Sequence, residues 1–141
     1  MNSLRSLGLD VGDKRIGMAL SDPGGILASP MTIIHRTDLK EVLKTIVDIV
    51  QKNQVGQIIV GLPLAMDGSI SRQAEKVTAF AEDLQNQTSV PVDFRDERLS
   101  TVSAKRMMQG IRKVDRTKHD AIAAAVILQT YLDETYQIEQ P

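Results

Sequence analysis

Cysteine and tryptophan are absent from this chain of 141 residues, and Phe and Tyr contribute only two each. Without cysteine there are no zinc–thiolate sites, disulfide frameworks or cysteine nucleophiles, and the composition suits a reducing cytoplasm. So few aromatic rings argue against base recognition on a stacking platform; any nucleic-acid contact should be electrostatic and shape-based. No run approaches the roughly 18 apolar residues of a membrane span, and no long apolar segment precedes Asp10, so a cytoplasmic protein without membrane association is expected. An excess of charge of one sign is also missing, since the formal net charge is −1. The distribution is nevertheless uneven: between Arg95 and Lys118, eight Lys/Arg stand against three Asp/Glu. A local basic segment of this kind can bind phosphates without the whole protein being basic.

The content of 42% hydrophobic residues supports a core without staples, and the length fits one α/β domain spanning 1–141. The first informative stretch runs from Gly8 to Gly17. Leu4, Leu7, Leu9 and Val11 form a strand-like apolar run with Asp10 inside it. An unpaired carboxylate in such a place costs several kcal/mol, on the order of 2–7 for polar burial, so something must neutralise it. Gly8 and Gly12 share the strand face of Asp10, which leaves space for a metal cation or a cation-bound phosphate. Lys14 and Arg15 follow a tight Gly12-Asp13 turn, and Ile16 to Leu20 returns as the second strand of a hairpin.

Leu4–Val11, Arg15–Ser21 and roughly 26–35 read as three antiparallel strands, with Pro30 placing the third at an edge or on a bulge. The period then changes. Leu39, Val42, Leu43, Ile46, Val47 and Val50 follow helical spacing behind Asp38 as N-cap, to about Asn53. Gln57 to Gly61 is almost wholly apolar and fits a central parallel strand. A loop from Pro63 to Ser71 precedes a second helix marked by Ala74, Val77, Phe80, Ala81 and Leu84. Val90 to Arg95 is the fifth strand, Ser100 caps a third helix ending near Gly110, and the last helix runs from about Asp120 to Glu134. Its Ala121, Ala123, Ala124 and Ala125 permit close packing on a sheet. The order predicts one mixed five-stranded sheet with helices on both faces.

Acidic residues far apart in sequence carry the candidate chemistry: Asp10 on the first strand, Asp96-Glu97 after the fifth, and Asp120 opening the last helix. At the carboxyl ends of parallel strands they would converge on the crevice where ligands bind in such sheets. Converging carboxylates repel unless cations separate them. With no Cys and few His on offer, hard divalent ions such as Mg²⁺ or Mn²⁺ are the natural solution. Two such ions could activate water and stabilise the leaving oxygen of a phosphodiester. Each position also has a plain alternative. Thr117 to Asp120 matches a capping box, so Asp120 could simply cap its helix. Asp96-Glu97-Arg98 could be a solvated strand end, and the basic residues Arg112, Lys113, Arg116 and Lys118 a solvated loop, although their position just before Asp120 favours phosphate contact.

Taken together, Asp10-Val-Gly-Asp-Lys-Arg-Ile-Gly17, the Gly61-Leu-Pro63 and Asp67-Gly68 pieces, Asp96-Glu-Arg-Leu-Ser-Thr101, and Asp120-Ala-Ile-Ala-Ala124 with Ile127-Leu-Gln129 resemble the YqgF/RuvX family. That family is part of the RNase H-like, RuvC-related nuclease superfamily. The resemblance spans nearly the whole chain. It implies an RNase H-like α/β fold with strand order 3-2-1-4-5 and strand 2 antiparallel. It also implies a metal-dependent hydrolase, viewed either as the nuclease maturing the 5′ end of precursor 16S ribosomal RNA or as a Holliday junction resolvase. By matching positions, Asp10, Glu97 and Asp120 would be the catalytic, metal-binding carboxylates. The resemblance favours Glu97 over Asp96, and only one of them should matter, since adjacent strand residues point to opposite faces and cannot both reach the site. The chain departs from the family pattern at Ala65 and at Ile70-Ser71, where an Asn and an acidic-Gly pair are expected.

The resulting expectation is a cytoplasmic Mg²⁺- or Mn²⁺-dependent endonuclease acting on structured RNA, as monomer or homodimer. Lys14, Arg15 and Arg98 would hold phosphates near the metals, with Arg112, Lys113, Arg116 and Lys118 as further nucleic-acid contacts. A DNA junction resolvase is the neighbouring reading, and would call for a two-fold dimer. A non-catalytic nucleic-acid-binding module is the third; such modules lose acidic ligands, and all three are present here. The Asp-x-Gly hairpin also resembles the phosphate loop of actin-like ATPases and sugar kinases, which need two related domains and more residues.

Overall fold

The computed structural model describes residues 4–97 and 119–139. Strand β1 (Arg5–Val11) turns through Gly12, whose N–H donates to the Arg15 carbonyl at 2.9 Å, into β2 (Arg15–Ser21). Leu7, Leu9, Val11, Ile16 and Met18 are buried on one face of this hairpin, while Gly8, Asp10, Gly17 and Ala19 alternate onto the other. β3 (Ala28–His35) completes an antiparallel meander at the edge of the sheet. Its pairing with β2 shifts between Met18 and Ala19, where Pro30 interrupts the ladder, as an edge strand tolerates. The strand starts two residues later than its apolar run. The Ile26 and Leu27 N–H groups donate to the Asp22 carboxylate at 2.8 and 2.9 Å and close the turn instead.

Helix α1 (Leu39–Lys52) follows, with Asp38 at its N-cap position by backbone but with no capping bond from its carboxylate. β4 (Val55–Leu62) lies parallel to β1 and buries Ile58, Ile59 and Val60, as its unbroken apolar character predicts. Helix α2 (Arg72–Gln85) is capped by Ser71, whose Oγ accepts from the Ala74 N–H at 3.1 Å and donates to the Pro63 carbonyl at 2.8 Å. Ser71, a departure from the family pattern in sequence, therefore serves the helix start. β5 (Val92–Asp96) pairs parallel to β4. It begins after Val90 because the Gln85 side chain donates to the Val90 carbonyl and accepts from the Val92 N–H, each at 2.9 Å. Helix α3 (His119–Glu139) ends the described chain and runs past the Glu134 expected from its pattern. The helix expected from Ser100 to Gly110 and the basic loop after it lie outside the described residues.

The sheet order is β3-β2-β1-β4-β5. Strands β1, β4 and β5 run parallel, and β2 runs antiparallel to both of its neighbours, β1 and β3. Helices α1 and α2 cover one face through Val42, Leu43, Ile46, Val50, Val77, Phe80 and Leu84, packed on Leu7, Leu9, Met18, Ile58 and Val60. Helix α3 covers the other through Ala124, Ala125, Ile127, Leu128 and Leu132, packed on Ala19, Ala28 and Ile59. The contact is close because both sides are small. A Cβ at Gly8 would lie 2.8 Å from Leu128 Cβ and 2.9 Å from the Ala124 carbonyl oxygen. Gly8 thus seats the helix and leaves no ligand space, contrary to its reading from sequence; a Cβ at Gly12 would meet the Arg15 carbonyl oxygen at 2.9 Å. Among the described residues, no helix is long and apolar enough to cross a membrane.

Candidate functional site

Asp10 lies one residue from the end of β1, on the face covered by α3 and flanked by two glycines on neighbouring strands. Gly17 is its register partner on β2. On the other side, Leu9 pairs with Val60, which puts Gly61 at the next position of β4. These glycines make room for the other acidic groups. A Cβ at Gly17 would collide with the Asp120 backbone carbonyl, so the glycine admits the first turn of α3 against the sheet. A Cβ at Gly61 would meet Ile127 Cδ1 first and sit 2.7 Å from Glu97 Oε1 and 2.8 Å from Glu97 Cγ, so Ile127 and Glu97 share the space above Gly61. Glu97 itself is placed by its N–H, which donates to the Leu62 carbonyl at 3.1 Å and carries the β4–β5 pairing one step past the strand.

The half-buried carboxyls of Asp10 and Glu97 meet in a side-chain hydrogen bond. Burial first, then the charge of Asp10, push the Glu97 carboxyl up to about 7, so near neutral pH it exchanges between the charged form and a protonated form that can donate toward Asp10. Asp10 is also raised, mainly by burial and further by the charge of Asp120, against the lowering effect of the Glu97 bond. Asp120 sits in the first turn of α3 and is met by Arg15 Nε at 2.9 Å. Thr117, with which it would form a capping box, lies outside the described residues, and its carboxylate is engaged by Arg15 of β2. The three acidic residues therefore come to one edge of the sheet, Asp10 with Glu97 and Asp120 with Arg15. The partner of Asp10 is Glu97, and Asp96 is the preceding strand residue paired with Leu62.

Of the basic residues, Lys14 and Arg15 lie exposed on the β1–β2 hairpin beside this edge. Arg98, Arg112, Lys113, Arg116 and Lys118 lie outside the described residues. Arg36, which no sequence pattern singles out, braces the hairpin. Its backbone N–H donates to the Lys14 carbonyl at 2.8 Å, its side chain donates to the Gly12 carbonyl at 2.9 Å, and its guanidinium lies 5.2 Å from the centre of the Phe80 ring. Lys76 of α2 meets Asp13 at 3.6 Å and ties the same turn from the same helix. Behind Glu97, Arg95 reaches Glu134 of α3 at 3.3 Å and stacks 4.9 Å from the centre of Tyr131, which fixes β5 against that helix.

The donor set suits a hard divalent cation: carboxylate oxygens, half-buried, two of them close enough to share a proton and a third within electrostatic reach. Among the described residues no three Asp, Glu or His side chains are already closed around one point, and Asp120 is engaged by Arg15. The residues fit the ion by chemistry and by converging on one edge.

A mixed sheet in the order 3-2-1-4-5 with helices on both faces defines an RNase H-like domain. Thermus thermophilus RuvC in complex with a Holliday junction substrate shares this fold at a TM-score of 0.65 and 12% identity, over 94% of this chain and 96% of that one. The Holliday junction resolvase of fowlpox virus does so at a TM-score of 0.56 and 13% identity, over 93% and 99% of the two chains. At such identities the likeness is one of fold. The chain belongs to the RuvX family, described as Holliday junction resolvase, whose model matches residues 4–134. Relatives from Dehalococcoides mccartyi (48% identical over 126 residues, 89% of this chain and 95% of theirs) and Roseiflexus sp. strain RS-1 (44% over 132 residues, 92% and 94%) both carry the name "Putative pre-16S rRNA nuclease".

Proposed function

We infer that this protein is a cytoplasmic metal-dependent endonuclease of a single domain over 1–141 that hydrolyses phosphodiesters in structured RNA, with 5′-end maturation of precursor 16S rRNA as its task. The observation that carries the reading is the Asp10–Glu97 carboxyl pair with Asp120 beside it, at the carboxyl edge of β1 in a chain whose relatives bear a nuclease name. Asp10, Glu97 and Asp120 would hold Mg²⁺ or Mn²⁺. Bound there, a pair of such ions supplies an activated water and neutralises charge on the leaving oxygen. The chain's own groups do the rest. Gly17 and Gly61 keep the carboxylates at the edge, and the brace of Arg36 on the hairpin carbonyl of Gly12 holds Lys14 and Arg15 next to them. Those two cations, with Arg98, Arg112, Lys113, Arg116 and Lys118 from the adjoining basic segment, would bind and orient the phosphate backbone. Backbone binding of this kind carries little base preference and falls steeply with salt.

The family description favours a second reading, a resolvase of branched DNA, which would work as a two-fold homodimer rather than a monomer. Purified protein, with Mn²⁺ or with EDTA, is offered a 5′-extended 16S precursor RNA and a four-way DNA junction, beside Asp10→Asn. The RNA reading expects metal-dependent cutting of the RNA alone and none by the variant. Cutting of the junction alone establishes the resolvase, and cutting by Asp10→Asn equal to wild type removes the carboxylate site from the chemistry.

A further inference from the structure

The acidic groups of the site are neutralised in two different ways. Asp10 and Glu97 answer each other, whereas Asp120 is met by a cation, Arg15, whose Nε lies 2.9 Å from its carboxylate. The pair is open to solvent, with the Arg15 side chain 58% and the Asp120 side chain 32% exposed. Asp13, the other carboxylate of the hairpin, is met by Lys76 at 3.6 Å. Arg15 and Gly17 point from β2 to the same side, and the missing side chain at Gly17 brings the start of α3 within reach of the guanidinium. A divalent cation bound at the same carboxylate would repel the guanidinium and weaken its hold on Asp120. A solvent-exposed ion pair is also weak enough to be exchanged.

We propose that Arg15 is an exchangeable counter-cation for Asp120: it holds the carboxylate while no divalent ion is bound, and passes to a phosphate of the nucleic acid when one is. This rests on the reading that Asp10, Glu97 and Asp120 hold a divalent cation, and adds an order to it. The planar fork of Arg15 suits a phosphate, since it can bind two phosphate oxygens at once. Metal binding and nucleic-acid binding are then coupled through one side chain, and the coupling acts equally in both directions.

Two metal-affinity and binding series test this without cleavage. Calorimetric titration of Mn²⁺ alone into wild type, Arg15→Gln, Arg15→Lys and Asp10→Asn is the first. Arg15→Gln should bind Mn²⁺ about three- to tenfold more tightly than wild type, and Arg15→Lys, which keeps the charge, within about twofold of it. Affinity of Arg15→Gln equal to or below wild type overturns the exchange while leaving the metal site intact. No saturable binding to wild type, or undiminished binding to Asp10→Asn, removes the metal site and the exchange with it. The second series measures a labelled precursor RNA fragment in EDTA by anisotropy, in a cycle of wild type, Arg15→Gln, Asp120→Asn and the double variant. Freed from Asp120, Arg15 should reach phosphate without any metal. Asp120→Asn should therefore tighten binding at least about threefold more when Arg15 is present than in the Arg15→Gln background, with a salt slope steeper by about one. Equal gains in both backgrounds mean simple loss of a negative charge and overturn the proposal.

Discussion

Glu97→Gln removes a charge that the folded protein holds at a cost, so the substitution should stabilise the chain. Burial and the neighbouring Asp10 charge move this carboxyl from 4.5 to about 7. An acid whose pKa is higher folded than unfolded binds its proton more tightly in the native state. Its favourable contribution is complete below pH 4.5, declines as pH rises toward about 7, and is gone above it. At about 1.4 kcal/mol per pH unit the whole interval corresponds to at most about 3.4 kcal/mol. Glu97 is only partly buried, and screening by solvent brings the expectation down to about 1–2 kcal/mol. Glutamine keeps the contact, because its amide can donate to Asp10 as the protonated acid does.

Urea denaturation of wild type and Glu97→Gln in EDTA, followed by far-UV circular dichroism from pH 4.5 to 8, reads this directly. The two should coincide near pH 4.5 and separate as pH rises. At pH 8 the variant should be more stable by about 1–2 kcal/mol, or about 3–6 °C in Tm for a chain of this size. Saturating Mn²⁺ at pH 8 should narrow or reverse the gap, because only the wild type gains the full binding energy of the ion. Parallel pH profiles, or a variant less stable than wild type at pH 8, would refute the premise that a half-buried Glu97 charge faces Asp10.

Further outcomes follow from the packing around the site. Gly61→Ala should leave the chain folded at a cost of about 1–3 kcal/mol, since Glu97 and Ile127 are side chains and can yield, yet cut cleavage about 100-fold by moving Glu97 off Asp10; melts and cleavage rates on one preparation check both halves. Gly17→Ala meets the Asp120 backbone instead and should cost about 3 kcal/mol or more in a urea melt, with the start of α3 displaced. Gln129→Leu strips the Ala28 N–H and the Ile26 carbonyl of partners at 2.9 and 2.8 Å, and should cost about 2–4 kcal/mol by the same measurement.

The strand and helix succession was legible because period and punctuation agree. Alternation from Leu7 to Leu20, helical spacing from Leu39 to Val50, and the apolar run ending at Gly61 each predict the element that is found. Boundaries slipped where side chains intervene in the backbone ladder. Asp22 takes the N–H groups ahead of β3, and Gln85 takes the backbone groups ahead of β5; nothing in residue type distinguishes these residues from other loop or surface polar groups. The acidic edge was readable as a set of residues, since a carboxylate inside an apolar strand demands a partner. Which partner was not readable: the Glu97 bond, the Arg15 contact and the Arg36 brace depend on register across strands distant in sequence.

The glycines are the sharper case. Gly8 and Gly12 stand two residues either side of Asp10, and proximity in sequence made them the natural candidates for ligand space. In the fold, distance along the sheet's width matters as much as distance along a strand, and the positions beside Asp10 belong to β2 and β4. Gly8 is spent on Leu128, whereas Gly17 and Gly61 admit Asp120 and Glu97. The alanines of α3 gave half of the signal, because a helix of small residues needs an equally small strand surface to pack closely. Matching Ala121, Ala124 and Ala125 to the glycines and Ala19 on one face of the hairpin would have placed the helix start over Gly17, and with it Asp120 beside Asp10. The geometry of the site is therefore set by where side chains are missing as much as by where the carboxylates stand, which is why the two glycine substitutions separate loss of the site from loss of the fold.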